Sequence, residues 1–298
     1  MNVAAIDLGT NTTRLLVGAV DDGRVEELHR ETRITRLGEG VDARGRLLPV
    51  PIARVRNVLS DYRRTAESLG AERTLLVATS AVRDAENGEA FLGEIEWSYG
   101  FATRLLSGDE EAALMRRGIG QTEPGTLIVD IGGGSTELVL EDFQTSLPMG
   151  SVRFTERHGE EVAALEAASR SLLPELSPAA ATGVAGTITT LAALDLGLPE
   201  YDRKRVHGHL LTREGARTQL ERLAALPLEE RRQVPALEPE RAPVIVAGAS
   251  ILVAILDAYG LDGITASERG LLHGAVLAAA ELPEPEEGAA PPGAYTCC

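Results

Sequence analysis

One supersecondary unit occurs twice in this chain, and the repeat constrains the fold more than any other feature. The apolar run Val3-Ala-Ala-Ile6 ends in the turn Asp7-Leu-Gly-Thr-Asn-Thr-Thr13 and is followed by Arg14-Leu-Leu-Val-Gly-Ala-Val20. Thr126-Leu-Ile-Val-Asp130, Ile131-Gly-Gly-Gly-Ser-Thr136 and Glu137-Leu-Val-Leu140 repeat the pattern. Superposing Asp7 on Asp130 also aligns Gly9 with Gly132, Thr13 with Thr136 and Leu15 with Leu138, an offset of 123 residues. Each copy reads as a strand, a tight polar turn and a returning strand. An offset of one domain length, about 100–200 residues, predicts two similarly built domains joined near residues 121–125.

Hydrophobic periodicity predicts further strands at 25–32, 73–78, 101–106 and 143–147. Helices are expected at 52–69, 85–97, 109–118, 160–173, 213–225, 248–259 and 270–281, with another running to Leu196. Strands interleaved with helices predict a mixed α/β class. The expected division is a first domain over 1–122, a second over 123–282, and a Pro- and Glu-rich tail at 283–298 that is expected to be disordered.

Composition excludes several classes. Lys204 is the only lysine, set in Tyr201-Asp-Arg-Lys-Arg205 without a glycine loop, so neither a Walker A loop nor a kinase strand lysine is present. A net charge of -16, from 29 basic and 45 acidic residues, argues against a nucleic-acid-coating protein. The only cysteines, Cys297 and Cys298, leave no disulfide or cysteine-zinc site for the body of the fold. No basic leader and no long apolar run appear, so a cytoplasmic protein without membrane association is expected. His207-Gly-His209 lacks a third metal ligand and reads as a polar loop.

Turns rich in Gly, Ser, Thr and Asn expose backbone N–H groups and hydroxyls to one point, a nest that binds phosphate oxygens without lysine. A carboxylate beside such a nest makes sense where a divalent cation lies between it and the phosphate, or where it orients a water. Two corresponding turns facing one another would hold a chain of phosphates with Mg²⁺.

Asp7-Leu-Gly-Thr-Asn-Thr and Val129-Asp-Ile-Gly-Gly-Gly-Ser-Thr-Glu-Leu138 resemble the two phosphate loops of the exopolyphosphatase/guanosine pentaphosphate phosphohydrolase (Ppx/GppA) family. The resemblance continues through Thr35-Arg-Leu-Gly-Glu-Gly40, Ala78-Thr-Ser-Ala-Val-Arg83, Leu106-Ser-Gly-Asp-Glu-Glu-Ala112, Met149-Gly-Ser-Val-Arg153, Gly183-Val-Ala-Gly-Thr-Ile-Thr-Thr-Leu191 and Val244-Ile-Val-Ala-Gly248. Where many members of that family read Gly-Leu-Arg-Glu-Gly, this chain has Gly270-Leu-Leu-His-Gly274.

The resemblance implies two ribonuclease H-like (actin-like ATPase) domains with an interdomain active-site cleft. It implies an exopolyphosphatase that releases terminal phosphate from inorganic polyphosphate. The alternatives are guanosine pentaphosphate 5'-phosphohydrolase activity and a polyphosphate- or alarmone-binding regulator with little turnover. The family's catalytic glutamate falls on Glu111, with Glu110 as the neighbouring alternative. Asp130, with Asp7 as partner, is the implied ligand set for Mg²⁺, with Mn²⁺ as the alternative metal. Gly9, Thr10, Asn11, Gly132, Gly133, Gly134, Ser135 and Thr136 are the implied phosphate donors, with Ser80 and Arg83 as further substrate contacts. Arg14 and Arg153 read equally as phosphate contacts or structural ion pairs, and Gly186 and Thr187 equally as a phosphate contact or a helix start. A homodimer is the implied assembly.

Overall fold

The structure, a computed structural model, describes residues 1–283 and divides into two compact units. Among the described residues, one comprises Met1–Gly118 with Leu271–Pro283, the other Ile119–Gly270.

In the first unit β1 (Asn2–Leu8) pairs antiparallel with β2 (Thr12–Asp21), and β2 with β3 (Arg24–Ile34). The helical turn α1 (Val41–Arg44) and the long helix α2 (Pro49–Ser68) lead to β4 (Arg73–Ala78), parallel to β1. The turn α3 (Ser80–Arg83), helix α4 (Gly88–Tyr99), strand β5 (Ala102–Leu105) and helix α5 (Gly108–Ile119) follow, and the sheet order is β3-β2-β1-β4-β5. Prolines open α2 at the position where a missing N–H costs nothing. Its Pro51, Val55, Leu59, Tyr62 and Ala66 form one apolar stripe against the sheet. Strand β1 is buried on both faces: Ala4, Ile6 and Leu8 meet the α2 and α4 side, while Val3 and Ala5 point the other way.

The second unit holds β6 (Thr126–Ile131), β7 (Thr136–Leu140), β8 (Phe143–Leu147), α6 (Ser151–His158), α7 (Val162–Leu172), β9 (Ala180–Val184) and α8 (Ala185–Asp195). Then come α9 (Arg203–Val206), β10 (Leu210–Thr212), α10 (Arg213–Ala225), α11 (Leu228–Arg231), α12 (Ile245–Ala258) and β11 (Gly263–Ala266). The sheet order is β10-β11-β9-β6-β7-β8. Setting aside the edge strand β10, the order β8-β7-β6-β9-β11 repeats that of the first unit, with the same parallel or antiparallel sense at every pairing. The hairpin registers also correspond: Asp7 opposes Arg14 and Leu8 opposes Thr13, as Asp130 opposes Glu137 and Ile131 opposes Thr136. The duplication read in the sequence is therefore a duplication of topology.

Helix α13 (Leu271–Ala280) corrects the expected division, which ran the second domain to residue 282. The helix packs on the first unit's sheet, where Leu271, Leu272, Ala275, Val276 and Ala279 meet Val3, Ala5, Leu16, Leu75 and Val77. Its apolar residues and small side chains mark it as buried but do not say which sheet it covers. At Gly274 the helix runs so close to α5 that a Cβ would lie 1.9 Å from the Leu114 carbonyl oxygen. Beside it the buried His273 pairs through Nε2 with Glu27 on β3, at 2.8 Å.

Helix α6 and strands β9, β10 and β11 were not read as such from the sequence. Strand β9, Ala-Ala-Thr-Gly-Val, lacks both alternation and bulky residues. It is small because the Ile188 and Ile264 side chains crowd Gly183, leaving no room for a Cβ. Among the described residues no helix is long and apolar enough to cross a membrane. The tail from residue 284, with Cys297 and Cys298, lies outside the described residues.

Candidate active site

In both units the site residues gather where parallel strands end. Asp7 is the last residue but one of β1, Ser80 and Arg83 follow β4, and Glu111 follows β5; Asp130 is the last but one of β6, and Gly186 and Thr187 follow β9. Carboxyl ends of parallel strands are the usual place for ligands in open α/β sheets.

The two hairpin turns share one construction. The Gly9 N–H donates to the Thr12 carbonyl at 2.9 Å, and the Gly132 N–H donates to the Ser135 carbonyl at 3.0 Å. A Cβ on either glycine would sit 3.1 or 3.2 Å from that same oxygen, a tight contact that glycine avoids. A second segment then ties back each turn's carbonyls. In the first unit Thr35 and Arg36 donate N–H groups to the Asn11 carbonyl at 3.1 and 3.0 Å, and Gly38 donates to Thr10 at 2.8 Å. In the second unit the Ser151 N–H donates to the Gly132 carbonyl at 2.9 Å, while those of Val152 and Arg153 donate to Gly133 at 2.8 and 3.0 Å. Arg153 adds its Nε to the Gly134 carbonyl at 2.6 Å.

With their carbonyls committed, the N–H groups of Thr10, Asn11, Gly133, Gly134 and Ser135 have no partner among the described residues. Peptide groups polarised from behind with donors left over are what an anion site requires. The construction also explains the motifs Thr35-Arg-Leu-Gly and Met149-Gly-Ser-Val-Arg, whose role the sequence did not reveal: they are the backing of the turns. Arg153 accordingly supports the second turn. The Thr136 hydroxyl, expected among the phosphate donors, instead donates to the Met149 carbonyl at 2.6 Å and is fully buried. The corresponding Thr13 bonds Thr35 through the two hydroxyls at 2.9 Å.

The structure separates Glu110 from Glu111. Glu110 and Ser107 form a reciprocal cap at the start of α5: the Ser107 N–H and hydroxyl donate to Glu110 Oε2 at 2.8 and 2.9 Å, and the Glu110 N–H donates to Ser107 Oγ at 3.2 Å. Those bonds from Ser107 hold the Glu110 carboxyl below its ordinary pKa. Its contribution to the helix start is therefore present above the normal Glu range and is lost as pH falls through the lowered folded value. Glu111 is 6% exposed, and Arg83 Nη1 lies 3.3 Å from its Oε2 while also donating to the Leu106 carbonyl at 2.7 Å. The Nε and Nη2 ends of the Arg83 fork have no partner among the described residues, so one guanidinium can steady Glu111 and still meet a phosphate oxygen. Ser80 is buried at the start of α3, with its hydroxyl 3.3 Å from Asp84.

Corresponding register positions give the two strand-end aspartates different neighbours. Asp7 is opposed by Arg14, whose Nε and Nη2 both bond Asp7 Oδ2, so Arg14 stands in an ion pair. Asp7 Oδ1 is buried without a hydrogen-bond partner, and so is Asn11 Nδ2. Asp130 is opposed instead by Glu137, which is 1% exposed and accepts a bond from Ser146 Oγ at 2.7 Å. Mg²⁺ is commonly held by one or two carboxylates together with water and substrate phosphates. The orphaned carboxylate oxygen of Asp7 fits that requirement in the first unit, and Asp130 is the corresponding strand-end carboxylate of the second. Glu137 is a buried acidic residue that the sequence reading did not single out, although aligning Arg14 with Glu137 across the repeat points to it.

Gly186 and Thr187 lie in the first turn of α8, which has no side-chain cap, and Ala185 enters it with φ 65°. The Arg241 guanidinium covers Gly186 so closely that a Cβ there would lie 2.2 Å from Nη1. Arg241 Nη2 bonds Glu238 at 3.0 Å, while its Nε is buried without a partner. The Thr187 side chain packs against Gly248 of α12. The loop histidines have separate partners: His207 Nδ1 accepts from the Glu268 N–H at 3.3 Å, and His209 Nε2 pairs with Asp195 at 2.8 Å.

A duplicated α/β sheet with a donor-lined turn in each copy, strand-end carboxylates and a buried glutamate beside an arginine defines a phosphate-binding protein equipped for phosphoryl chemistry. The profile of the Ppx/GppA phosphatase family matches residues 16–282, and the chain belongs to that family. Exopolyphosphatase 2 of Mycobacterium tuberculosis is 36% identical, over 93% of this chain and 98% of that protein. A guanosine-5'-triphosphate,3'-diphosphate pyrophosphatase of Vibrio vulnificus is 33% identical over 91% of this chain, which spans 58% of that longer protein. The crystal structure of an exopolyphosphatase-like protein superposes with a TM-score of 0.86 at 32% identity, covering 93% of this chain and 98% of the other. That of the Aquifex aeolicus PPX-GPPA enzyme gives 0.78 at 32% identity, covering 93% and 99%.

Proposed function

We propose that this chain is a Mg²⁺-dependent exopolyphosphatase. The observation that carries the reading is the buried Glu111 beside Arg83, in a protein whose phosphate turns present N–H donors freed by their tied-back carbonyls. Phosphoryl transfer asks mainly for positioning and charge neutralisation. The turn N–H groups of each unit, and Arg83 in the first, bind non-bridging phosphate oxygens. Glu111 orients a water and accepts its proton as the water oxygen attacks the terminal phosphorus. The bridging P–O bond breaks, its electron pair leaves with the shortened chain, and orthophosphate is released. Asp130 in the second unit, and Asp7 in the first, are the carboxylates that would hold Mg²⁺, which when bound supplies positive charge to the phosphate oxygens.

Similarity supports polyphosphate over guanosine pentaphosphate: the relative named exopolyphosphatase is 36% identical over 93% of this chain, against 33% over 91% for the pyrophosphatase. We place the protein in the cytoplasm, as a homodimer. With a net charge of -16, the approach of a polyanion relies on cations and on local donors. Initial rates with Mg²⁺ are expected to be higher on long-chain polyphosphate than on guanosine pentaphosphate, and excess chelator should abolish both. Faster release from the nucleotide would transfer the assignment to the second substrate, and activity undiminished by chelator would contradict the metal requirement.

A further inference from the structure

We infer that Arg54, on α2, is the positioning residue of the first phosphate turn; the inference rests on reading that turn as a phosphate site. The turn's donors depend on the segment at 35–38, whose N–H groups hold the carbonyls of Thr10 and Asn11. That segment is irregular: Arg36 adopts φ 49°, a left-handed backbone that residues with side chains enter reluctantly. One side chain clamps it from outside. Arg54 Nε donates to the Thr35 carbonyl at 2.7 Å, Nη2 donates to the Arg36 carbonyl at 3.3 Å, and Nη2 pairs with Glu39 at 2.7 Å.

The clamp is anchored on a rigid element. The apolar stripe of α2 is buried in the core, and Tyr62 on the same helix donates its hydroxyl to the Thr13 carbonyl at 2.9 Å. Helix α2 thereby fixes the returning strand directly through Tyr62 and the backing segment through Arg54. A planar fork meeting two successive carbonyls and a carboxylate cannot be reproduced by an ammonium, so arginine is specified here. In the second unit the same task is shared by the start of α6 and the Arg153 guanidinium, so the dependence on one remote side chain is particular to the first turn.

The test compares the full chain with Arg54→Ala, Arg54→Lys and Glu39→Gln. The Arg54 side chain is 37% exposed, so Arg54→Ala should stay folded, with Tm lowered by a few degrees for the lost bonds. In Arg54→Ala, KM for polyphosphate should rise about tenfold, the scale of a lost charge-assisted bond, with kcat nearly unchanged. Amide exchange at residues 35–38 should accelerate. Arg54→Lys should fall between, and Glu39→Gln, which spares both carbonyl bonds, should stay near wild type. An unchanged KM in Arg54→Ala, or a raised KM without faster exchange at 35–38, overturns the inference. If the wild type releases no phosphate, the hydrolase reading fails separately. Calorimetry with magnesium tripolyphosphate then decides: weaker binding by Arg54→Ala supports the inference, while equal affinity, or no binding by either, overturns it.

Discussion

Glu111→Gln should lower kcat for phosphate release by roughly 10³-fold, within the range that general-base catalysis contributes, while leaving KM within a few-fold of wild type. The substitution keeps the shape and the buried position but removes the group that can accept the proton of the attacking water. Arg83 loses an ionic partner but keeps its bond to the Leu106 carbonyl, and the turn donors are untouched. Glu110→Gln should give the opposite pattern, a kcat near wild type with a small loss of stability, because Glu110 is engaged by Ser107 at the helix start. Steady-state kinetics on the two variants separate neighbours that the sequence left as alternatives. A kcat lost in Glu110→Gln and kept in Glu111→Gln would reverse the assignment.

Gly150→Ala should disable the second turn. A Cβ at this position would lie 2.4 Å from the Gly133 carbonyl oxygen and 2.5 Å from the Gly133 carbon and the Gly134 nitrogen. These are backbone atoms of the turn itself, so relief requires moving the peptides whose N–H groups serve as donors. The expected cost is about 1–3 kcal/mol of stability, as for other overpacking changes. The accompanying fall in kcat/KM is about 10²-fold, the usual effect of a misplacement near 1 Å. Gly93→Ala is the control, because a Cβ there meets nothing within 4 Å and the site lies inside helix α4. It should be neutral or slightly stabilising. Thermal melts and kinetics on both variants check the pair, and equal behaviour would contradict the account of the turn.

What was legible in the sequence follows the range of the interactions involved. The hairpins were legible because strand, turn and return are contiguous, and the 123-residue repeat fixed their correspondence. Glu111 was legible as one of two residues, because a short motif sets the helix start but not which carboxylate is turned inward. The backing segments were visible as motifs without a mechanism, since their work consists of backbone bonds to residues more than 15 positions away. Arg54 and Arg241 could not be singled out among 28 arginines, because their significance lies in what they touch. Helix α13 was recognised, but its partner sheet was not. An apolar helix with small residues can cover many faces, and the contacts that specify this one, Gly274 against Leu114 and His273 with Glu27, are remote in sequence.

The central claim is hydrolysis from the end of a phosphate chain, and the product distribution tests it most directly. Polyphosphate of defined length, incubated with the protein and Mg²⁺, should be followed by gel electrophoresis together with an orthophosphate assay. Orthophosphate accumulating from the start, without mid-length fragments and absent with Glu111→Gln, is the result the account predicts. Mid-length fragments, or intact polyphosphate after incubation with folded wild type, would contradict it.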